Sequence, residues 1–166
     1  MTHTQPVDAY AQHLGIAVTG HGGGRADATA TVSPDHLNPH GTAHGAFIVT
    51  VAGAALAAAA NDAEHSGVVS AIHIDYLRPA RLGDRLTAVA RAAERLPKED
   101  IFEIRVTDDE DNIVARASGR ANRRLRSSAT GAEARYDALH LSSDRVTGRR
   151  APGSSGSAGV DDDPHG

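Results

Sequence analysis

An almost uninterrupted run of mostly small apolar residues at positions 46–60 constrains the fold of this chain more than any other feature. Alanine, the residue with the highest helix propensity, makes up most of the run, so the run is predicted to form a helix. A helix that is apolar on every face has to be buried all round. Because spanning a bilayer takes about 20 apolar residues, this helix is too short to cross a membrane. We therefore expect a buried helix at the centre of the domain.

A polar loop precedes this helix and gives it a chemically useful N-terminus. Residues 36–45 read H-L-N-P-H-G-T-A-H-G, and Pro39 and Gly41 keep the first part of this segment out of the helix. The free N–H groups and the positive dipole end of a helix N-terminus can hold a developing negative charge. The sequence thus predicts a polar site at the start of the buried helix.

Composition excludes several classes of function. The 166 residues carry a net charge of −4, with 17 basic and 21 acidic residues, so we expect no nucleic-acid partner. There is no cysteine, which excludes disulfides, thiolate metal sites and a Cys nucleophile. Met1 is not followed by a basic and then apolar segment. We expect one soluble, cytoplasmic protein with no membrane partner.

The rest of the chain up to about residue 125 reads as strands joined by turns. Residues Ile72, Ile74 and Tyr76 alternate with His73 and Asp75, a pattern typical of a half-buried strand. The predicted elements are a helix at 6–14, a glycine-rich turn at 20–24, and strands at 16–18, 26–32, 68–77, 85–93, 101–107 and 113–123. We expect an α+β domain in which the last four strands form an antiparallel meander that curls around the helix.

Two polar segments are assigned no chemistry. Residues 108–112, D-D-E-D-N, are predicted to form a solvated hairpin tip, which is a far commoner role than a metal-binding loop. From residue 126 the composition shifts to Ser, Gly, Arg and Asp. We expect a domain at 1–125 and a disordered tail at 126–166, in which residues 136–141 could form a docked helical turn.

Three motifs make residues 13–125 similar to the hotdog-fold thioesterases, in particular to the PaaI-like branch of phenylacetic acid degradation. They are H-L-G-I at 13–16, L-N-P-H-G-T-A-H-G-A-F at 37–47, and I-D-Y-L-R-P-A with a following G-D at 74–84. The resemblance implies a hotdog fold, with a long central helix wrapped by a curved antiparallel sheet. It also implies an acyl-CoA substrate that is hydrolysed to acid and CoA, and a homodimer or homotetramer with active sites at the dimer interface. Apart from the CoA of the substrate, we expect no cofactor and no metal.

The resemblance assigns roles to individual residues. Asn38 matches the family's Asn that orients the attacking water or the carboxylate, and His44 matches the His of the family's H-G-G motif. Gly45 matches the glycine whose backbone N–H polarises the thioester carbonyl, a role that suits a helix N-terminus. We therefore expect Asn38, His44 and Gly45 to be catalytic. The expected substrate-binding residues are His40, Ala46, Gly53, Ser70 and Arg78.

The chain departs from the family at the catalytic carboxylate. In the family this acid lies nine residues after the motif His, where this chain has Gly53. Glycine cannot act as a nucleophile or a general base. A glycine inside a helix indicates either close packing or room for a ligand. Asp62 and Glu64 are too far along the helix to replace the acid within one subunit. The acids that could reach a site from a partner chain are Glu94, Glu99, Asp100 and Glu103.

Three functions are compatible with this pattern. The first is acyl-CoA hydrolysis with an unidentified general base. The second is a different reaction of an acyl thioester or related intermediate, such as dehydration, decarboxylation or cyclisation, with His44 or His40 as the acid–base group. The third is binding of acyl-CoA without catalysis.

Several of these residues also have a simpler structural interpretation. Asn38 and His44 can cap the helix and fill a polar pocket. A metal stripe of His36, His40 and His44 is disfavoured because proline and glycine interrupt the helix that it needs. His73 is predicted on the outer face of its strand. Arg78 and Arg81 can meet CoA phosphates or lie in a solvated turn.

Overall fold

The computed structural model describes residues 8–126. Most of the predicted tail at 126–166, with the predicted turn at 136–141, lies outside the described residues, as does the start of the helix predicted at 6–14. That helix, α1, spans Ala9–His13 and begins after Asp8, whose carboxylate accepts the Ala11 N–H at 2.9 Å. No helix within the described part of the chain is long and apolar enough to cross a membrane.

A six-stranded antiparallel sheet and one long helix make up the domain. The strands of the sheet are β1 (Ala17–Gly22), β2 (Arg25–Thr31), β4 (Val69–Tyr76), β5 (Arg85–Arg95), β6 (Glu99–Thr107) and β7 (Ile113–Asn122). The long helix is α2 (Gly45–Ala59), a 3₁₀ turn spans Pro34–His36, and the two-residue strands β3 (His65–Ser66) and β8 (Arg124–Leu125) pair with each other. The predicted α+β class is confirmed.

The order of strands across the sheet is β1-β2-β5-β6-β7-β4. The predicted meander of the last four strands is wrong in one respect, because β4 pairs with β7 and not with β5. The first two strands also belong to this sheet, since β2 pairs with β5. β4 and β1 are therefore the two edge strands, and β4 is the one that follows α2 along the chain.

β1 is longer than predicted, because it continues through the glycine-rich segment at 20–24. Gly20 and Gly22 pair with Asp27 and Arg25 on β2. The hairpin turn is confined to Gly23 and Gly24, both with positive φ. A run of glycines does not by itself end a strand when the neighbouring strand supplies hydrogen bonds.

The inner face of the sheet is lined by small residues, which allows α2 to lie close to it. Ala88 and Ala90 of β5 and Ala115 of β7 are fully buried. Gly119 lies under Leu56 of α2, and a Cβ at position 119 would overlap the Leu56 side chain. The predicted central helix thus owes its position to alanine and glycine on the strands beneath it.

Burial of α2 is one-sided within the single chain. Val51, Ala52, Ala55 and Leu56 are inaccessible to solvent, as predicted. The opposite side is exposed or half-buried, which corrects the expectation of burial all round. We call it the α2 stripe, and it consists of Ala46, Val49, Thr50, Gly53 and Ala57. Its spacing of three or four residues places it on one face of the helix.

Candidate active site

The loop before α2 is shaped by the side chain of Asn38. Its Oδ1 accepts the backbone N–H groups of His40 at 2.9 Å and Thr42 at 3.3 Å, and its Nδ2 donates to Thr42 Oγ1 at 2.9 Å. The backbone of Asn38 also donates to the carbonyl of Thr42 at 2.8 Å. Asn38 therefore holds the loop in a tight turn, and one Nδ2 hydrogen is left to donate to a bound molecule.

His44 is the N-cap of α2. Its Nδ1 accepts the N–H of Ala46 at 3.0 Å, and its carbonyl accepts the N–H groups of Phe47 and Ile48 at 2.9 and 3.2 Å. The N–H of His44 itself donates to the carbonyl of His36 at 2.7 Å. Three of the four N–H groups that the first turn of a helix leaves free, those of His44, Ala46 and Phe47, are therefore satisfied. Within the described residues, the N–H of Gly45 has no acceptor. The start of α2 thus presents a single unpaired donor.

The cap also determines what His44 can do chemically. Because Nδ1 accepts a hydrogen bond, the proton of the neutral imidazole lies on Nε2. The exposed edge of the ring is then a hydrogen-bond donor, and taking up a second proton would break the cap. In this arrangement His44 is suited to donate to a carbonyl or a water and is poorly suited to act as a base.

A cleft of about 330 Å³ opens beside the start of α2. It lies between the loop before the helix and the segment that follows β4. Its lining residues are Asn38, Thr42, Ala43, Gly45, Ile48, Tyr76, Leu77, Arg78 and Pro79. The structure therefore brings together three of the predicted site residues, Asn38, Gly45 and Arg78. Within the described residues no carboxylate lines this cleft.

Tyr76 is one of the cleft residues that the sequence analysis did not assign to the site. The alternation with Ile72 and Ile74 predicted a core residue, but the Tyr76 side chain is 50% exposed. Its hydroxyl donates to the carbonyl of Gly45 at 2.8 Å. Burial raises the pKa of the Tyr76 hydroxyl above its usual value of 10.0, so the group remains a neutral donor at ordinary pH. The position of Tyr76 at the end of its strand, within the I-D-Y-L-R-P-A motif, was the available signal.

Arg78 also lines this cleft. Its Nη1 donates to Asn112 Oδ1 at 2.9 Å, which ties it to the hairpin tip between β6 and β7. At that tip Asp108 accepts the N–H groups of Glu110 and Asn112, as expected of a solvated turn. Burial opposes ionisation of Asp108, but hydrogen bonds from Asn112 and Glu110 outweigh it and lower the pKa of this carboxyl below 3.8. Arg78 is exposed and can meet an anionic group.

The remaining predicted residues are spread over other parts of the chain. His40 and Ala46 are exposed and lie outside the cleft lining. His36, by contrast, is buried and stacks on Phe47 with ring centroids 3.7 Å apart. His73, as predicted, is exposed on the outer face of β4. The roles predicted for His40 and Ala46 stay predictions.

Ser70 lies at the far end of β4 from Tyr76. It occupies an irregularity in the pairing with β7 and donates to the carbonyl of Arg120 at 3.3 Å. Ser70 and Tyr76 lie six positions apart along an extended strand, a distance of about 20 Å. It lines a different cavity, together with Leu96, Lys98 and Glu99. One chain therefore does not bring Ser70 to the cleft.

Gly53 faces open space on the α2 stripe. A Cβ at this position would meet no atom within 4 Å, so close packing within the chain does not explain the glycine. The sequence offered two reasons for a glycine here, close packing or room for a ligand. Close packing is wrong for the single chain, and room for another group remains as the explanation. The position accepts a side chain without steric conflict.

Three of the acids considered as replacements for the missing carboxylate have other partners. Asp100 is buried and contacts Arg123 at 3.4 Å, and Glu99 contacts Arg120 at 3.5 Å on the outer face of the sheet. Asp62 accepts the backbone N–H groups of Glu64 and His65 beyond the C-terminal end of α2. None of these three lines the cleft.

Comparison with known proteins places the chain in a family. Residues 40–115 match the thioesterase superfamily. Over 116 residues the chain is 34% identical to the acyl-coenzyme A thioesterase PaaI of Escherichia coli, a match that covers 70% of this chain and 83% of that protein. This chain belongs to the PaaI-like branch of the hotdog thioesterases. The family predicted from the three motifs is confirmed.

Solved structures of PaaI proteins have the same fold as this chain. The structure of the E. coli PaaI protein superimposes with a TM-score of 0.68 at 34% identity, covering 70% of this chain and 85% of that one. A variant of the phenylacetic acid degradation protein PaaI from Thermus thermophilus gives 0.66 at 30% identity, covering 69% and 98%. The predicted hotdog fold is therefore confirmed.

Proposed function

We propose that this PaaI-like protein hydrolyses an acyl-CoA thioester, with the N–H of Gly45 holding the carbonyl oxygen. The single unpaired N–H at the start of α2, in a residue that lines the cleft, carries the proposal. During hydrolysis water attacks the carbonyl carbon, negative charge collects on the carbonyl oxygen, and the C–S bond breaks to release an acid and the thiol of CoA. A donor at a helix N-terminus stabilises that charge.

Two further donors support this assignment. His44 carries its proton on Nε2, and Asn38 retains one N–H that the loop does not use. Either group can orient a water molecule or the thioester next to Gly45. Arg78, which lines the cleft, is suited to an anionic part of the substrate such as a CoA phosphate. The E. coli relative is named an acyl-coenzyme A thioesterase, which supports CoA as the carrier.

We further propose that two chains associate through β4. β4 is an edge strand, and an open edge is a template for pairing with another strand. Pairing about a two-fold axis runs the two copies of β4 antiparallel and sets the Ser70 end of one beside the Tyr76 end of the other. Ser70 of the partner subunit would then lie near the cleft, which Ser70 of the same chain does not reach. Sedimentation velocity tests the association directly.

A second candidate function is binding of acyl-CoA without hydrolysis. The observation that favours it is the lack of a carboxylate among the residues of the cleft, together with Gly53 at the family's acid position. The non-hydrolytic reactions would need His44 or His40 as acid–base group. His44 is engaged as a cap through Nδ1, and His40 lies outside the cleft lining, which makes binding the stronger of these alternatives.

The test is thiol release from aliphatic and aromatic acyl-CoAs by the wild-type protein and by Gly53→Asp. The variant should gain activity if the site has kept the family geometry, because position 53 has room for a side chain and an acid there would then activate water. Aspartate also has a higher helix propensity than glycine, so the variant should fold normally. Ala57→Asp, one turn further along the α2 stripe, is the matched control for an added negative charge.

The outcomes separate the functions. Turnover by the wild-type protein establishes a thioesterase whose base lies elsewhere. Binding of acyl-CoA with turnover only in Gly53→Asp favours the binding function. Equal behaviour of Gly53→Asp and Ala57→Asp means that the family geometry has been lost at position 53. A wild-type protein that neither binds nor hydrolyses any acyl-CoA contradicts both proposals.

A further inference from the structure

The contact between Tyr76 and the first turn of α2 has no counterpart among the roles assigned so far. Tyr76 belongs to β4, at the edge of the sheet, whereas Gly45 is the first residue of α2. The two are joined by the hydrogen bond from the Tyr76 hydroxyl to the Gly45 carbonyl at 2.8 Å. Both residues line the cleft. One side chain thus connects the sheet edge to the residue that carries the unpaired N–H.

The ring of Tyr76 also lies close to the backbone of position 45. A Cβ built at this position would lie 3.1 Å from both Cζ and Oη of Tyr76, which is tighter than ordinary van der Waals contact. The φ of Gly45 is not positive, so backbone conformation does not require glycine there. A side chain at position 45 would instead need the Tyr76 ring to shift by a few tenths of an ångström, so glycine lets the ring and the start of α2 approach this closely.

The first turn of a helix is the part that frays most easily. The N-cap bonds of His44 hold Ala46, Phe47 and Ile48, but His44 itself is exposed and lies on the loop side. The Tyr76 hydroxyl provides a fixed point on the sheet side of the same turn. A turn held on both sides keeps the Gly45 N–H in one direction, which is what preorganised stabilisation of a developing charge needs.

We propose that Tyr76 is a positioning residue that orients the N–H of Gly45 through its hydrogen bond to the Gly45 carbonyl. This inference rests on the proposed role of Gly45 in thioester hydrolysis. Tyr76 takes no proton and contacts no reacting atom in this role. Its ring forms the wall of the cleft, and its hydroxyl fixes the first turn of α2.

The variant that isolates the hydroxyl is Tyr76→Phe, which keeps the ring and removes the hydrogen bond. Loss of one hydrogen bond corresponds to a decrease of about three- to tenfold in a rate or equilibrium constant. We expect this decrease in kcat, and we expect KM to stay within about twofold of wild type. Tyr76→Leu removes the ring as well and should lower kcat further. Tyr10→Phe, at an exposed tyrosine of α1, is the matched control and should leave both constants unchanged.

Amide hydrogen exchange gives a readout that does not depend on activity. In Tyr76→Phe the amides of Ala46, Phe47 and Ile48 should exchange faster, because the first turn opens more often. The amide of Leu56, in the middle of α2, should exchange as in the wild type and in Tyr10→Phe. A general loss of stability would instead raise exchange along the whole helix.

The results distinguish a failure of this inference from a failure of the proposed function. Tyr76→Phe with wild-type kcat and wild-type exchange at residues 46–48 overturns the inference. A raised KM with unchanged kcat makes Tyr76 a substrate-binding residue and also overturns it. If the wild-type protein releases no thiol, the proposed function fails, and the exchange data alone decide whether Tyr76 holds the first turn.

Discussion

His44 shows how one side chain serves both the fold and the site. As the N-cap of α2 it accepts the Ala46 N–H, and the same bond places its proton on the exposed Nε2. The two roles can be separated by substitution, because asparagine is a good N-cap residue but has no imidazole, whereas alanine removes both functions.

We therefore predict different effects for His44→Asn and His44→Ala. Alanine should lower the free energy of unfolding by about 1 kcal/mol, the usual cost of a lost cap, while asparagine should leave it nearly unchanged. Both variants should lose thiol-release activity if Nε2 orients water or substrate. Thermal unfolding and thiol release measure the two effects. An asparagine variant with wild-type turnover would show that the imidazole has no part in the reaction.

At the scale of elements, α2 is placed by glycines and alanines that lie outside it. Gly67 packs against its C-terminal end, where a Cβ would lie 2.7 Å from the Ala60 carbonyl oxygen and 3.0 Å from that of Asn122. α2 ends at Ala59, and Gly67 allows the following chain to pass close to the helix end.

Two glycine-to-alanine variants should therefore act in opposite directions. Gly67→Ala should destabilise the protein by about 1–3 kcal/mol, because backbone atoms must shift to admit the methyl group. Gly53→Ala meets nothing within 4 Å and should stabilise α2 by up to about 1 kcal/mol. Urea unfolding of both variants measures this. Destabilisation by Gly53→Ala would indicate that a second chain packs against the α2 stripe.

At the scale of the whole molecule, the two ends of α2 have different chemistry. The N-terminal end faces the cleft and its donors. Beyond the C-terminal end, Asp62, His65, Arg123 and Asp100 form a chain of contacts of 3.3 to 3.4 Å. Arg126 adds hydrogen bonds to the carbonyls of Asp62 and His65 at 2.8 and 3.1 Å. We interpret this network as structural support for the helix end.

This network predicts a dependence of stability on pH. Burial opposes ionisation of Asp62, but hydrogen bonds from His65 and Glu64 and the contact with the His65 ring outweigh it, so the pKa of Asp62 lies below 3.8. A carboxyl whose pKa is lower in the folded state than in the unfolded state stabilises the protein at pH values above its unfolded pKa. That stabilisation is lost as the pH falls through the folded pKa. The difference in Tm between wild type and Asp62→Asn should thus be constant above about pH 5 and shrink below about pH 4. A difference that does not vary with pH would exclude this role of the Asp62 carboxylate.

The sequence by itself determined the features that depend on neighbouring residues. The helix at 45–59 follows from its alanine content, and the loop at 36–45 follows from Pro39 and Gly41. Most strand positions follow from the alternation of apolar and polar residues. The position of Asn38 and Gly45 at the start of the helix also follows, because helix and loop are adjacent in the chain. These local rules were enough to place the polar site, and the resemblance of three sequence motifs indicated the family.

The features that depend on contacts between distant parts of the chain were decided only by the tertiary structure. Alternation cannot tell which strands pair, so the contact of β4 with β7 was not predictable from it. That pairing places Tyr76 against Gly45, more than 30 residues earlier in the chain, and it leaves Ser70 at the other end of the strand. The exposed α2 stripe was hidden for the same reason, since an apolar helix looks uniform in sequence until the sheet covers one of its faces.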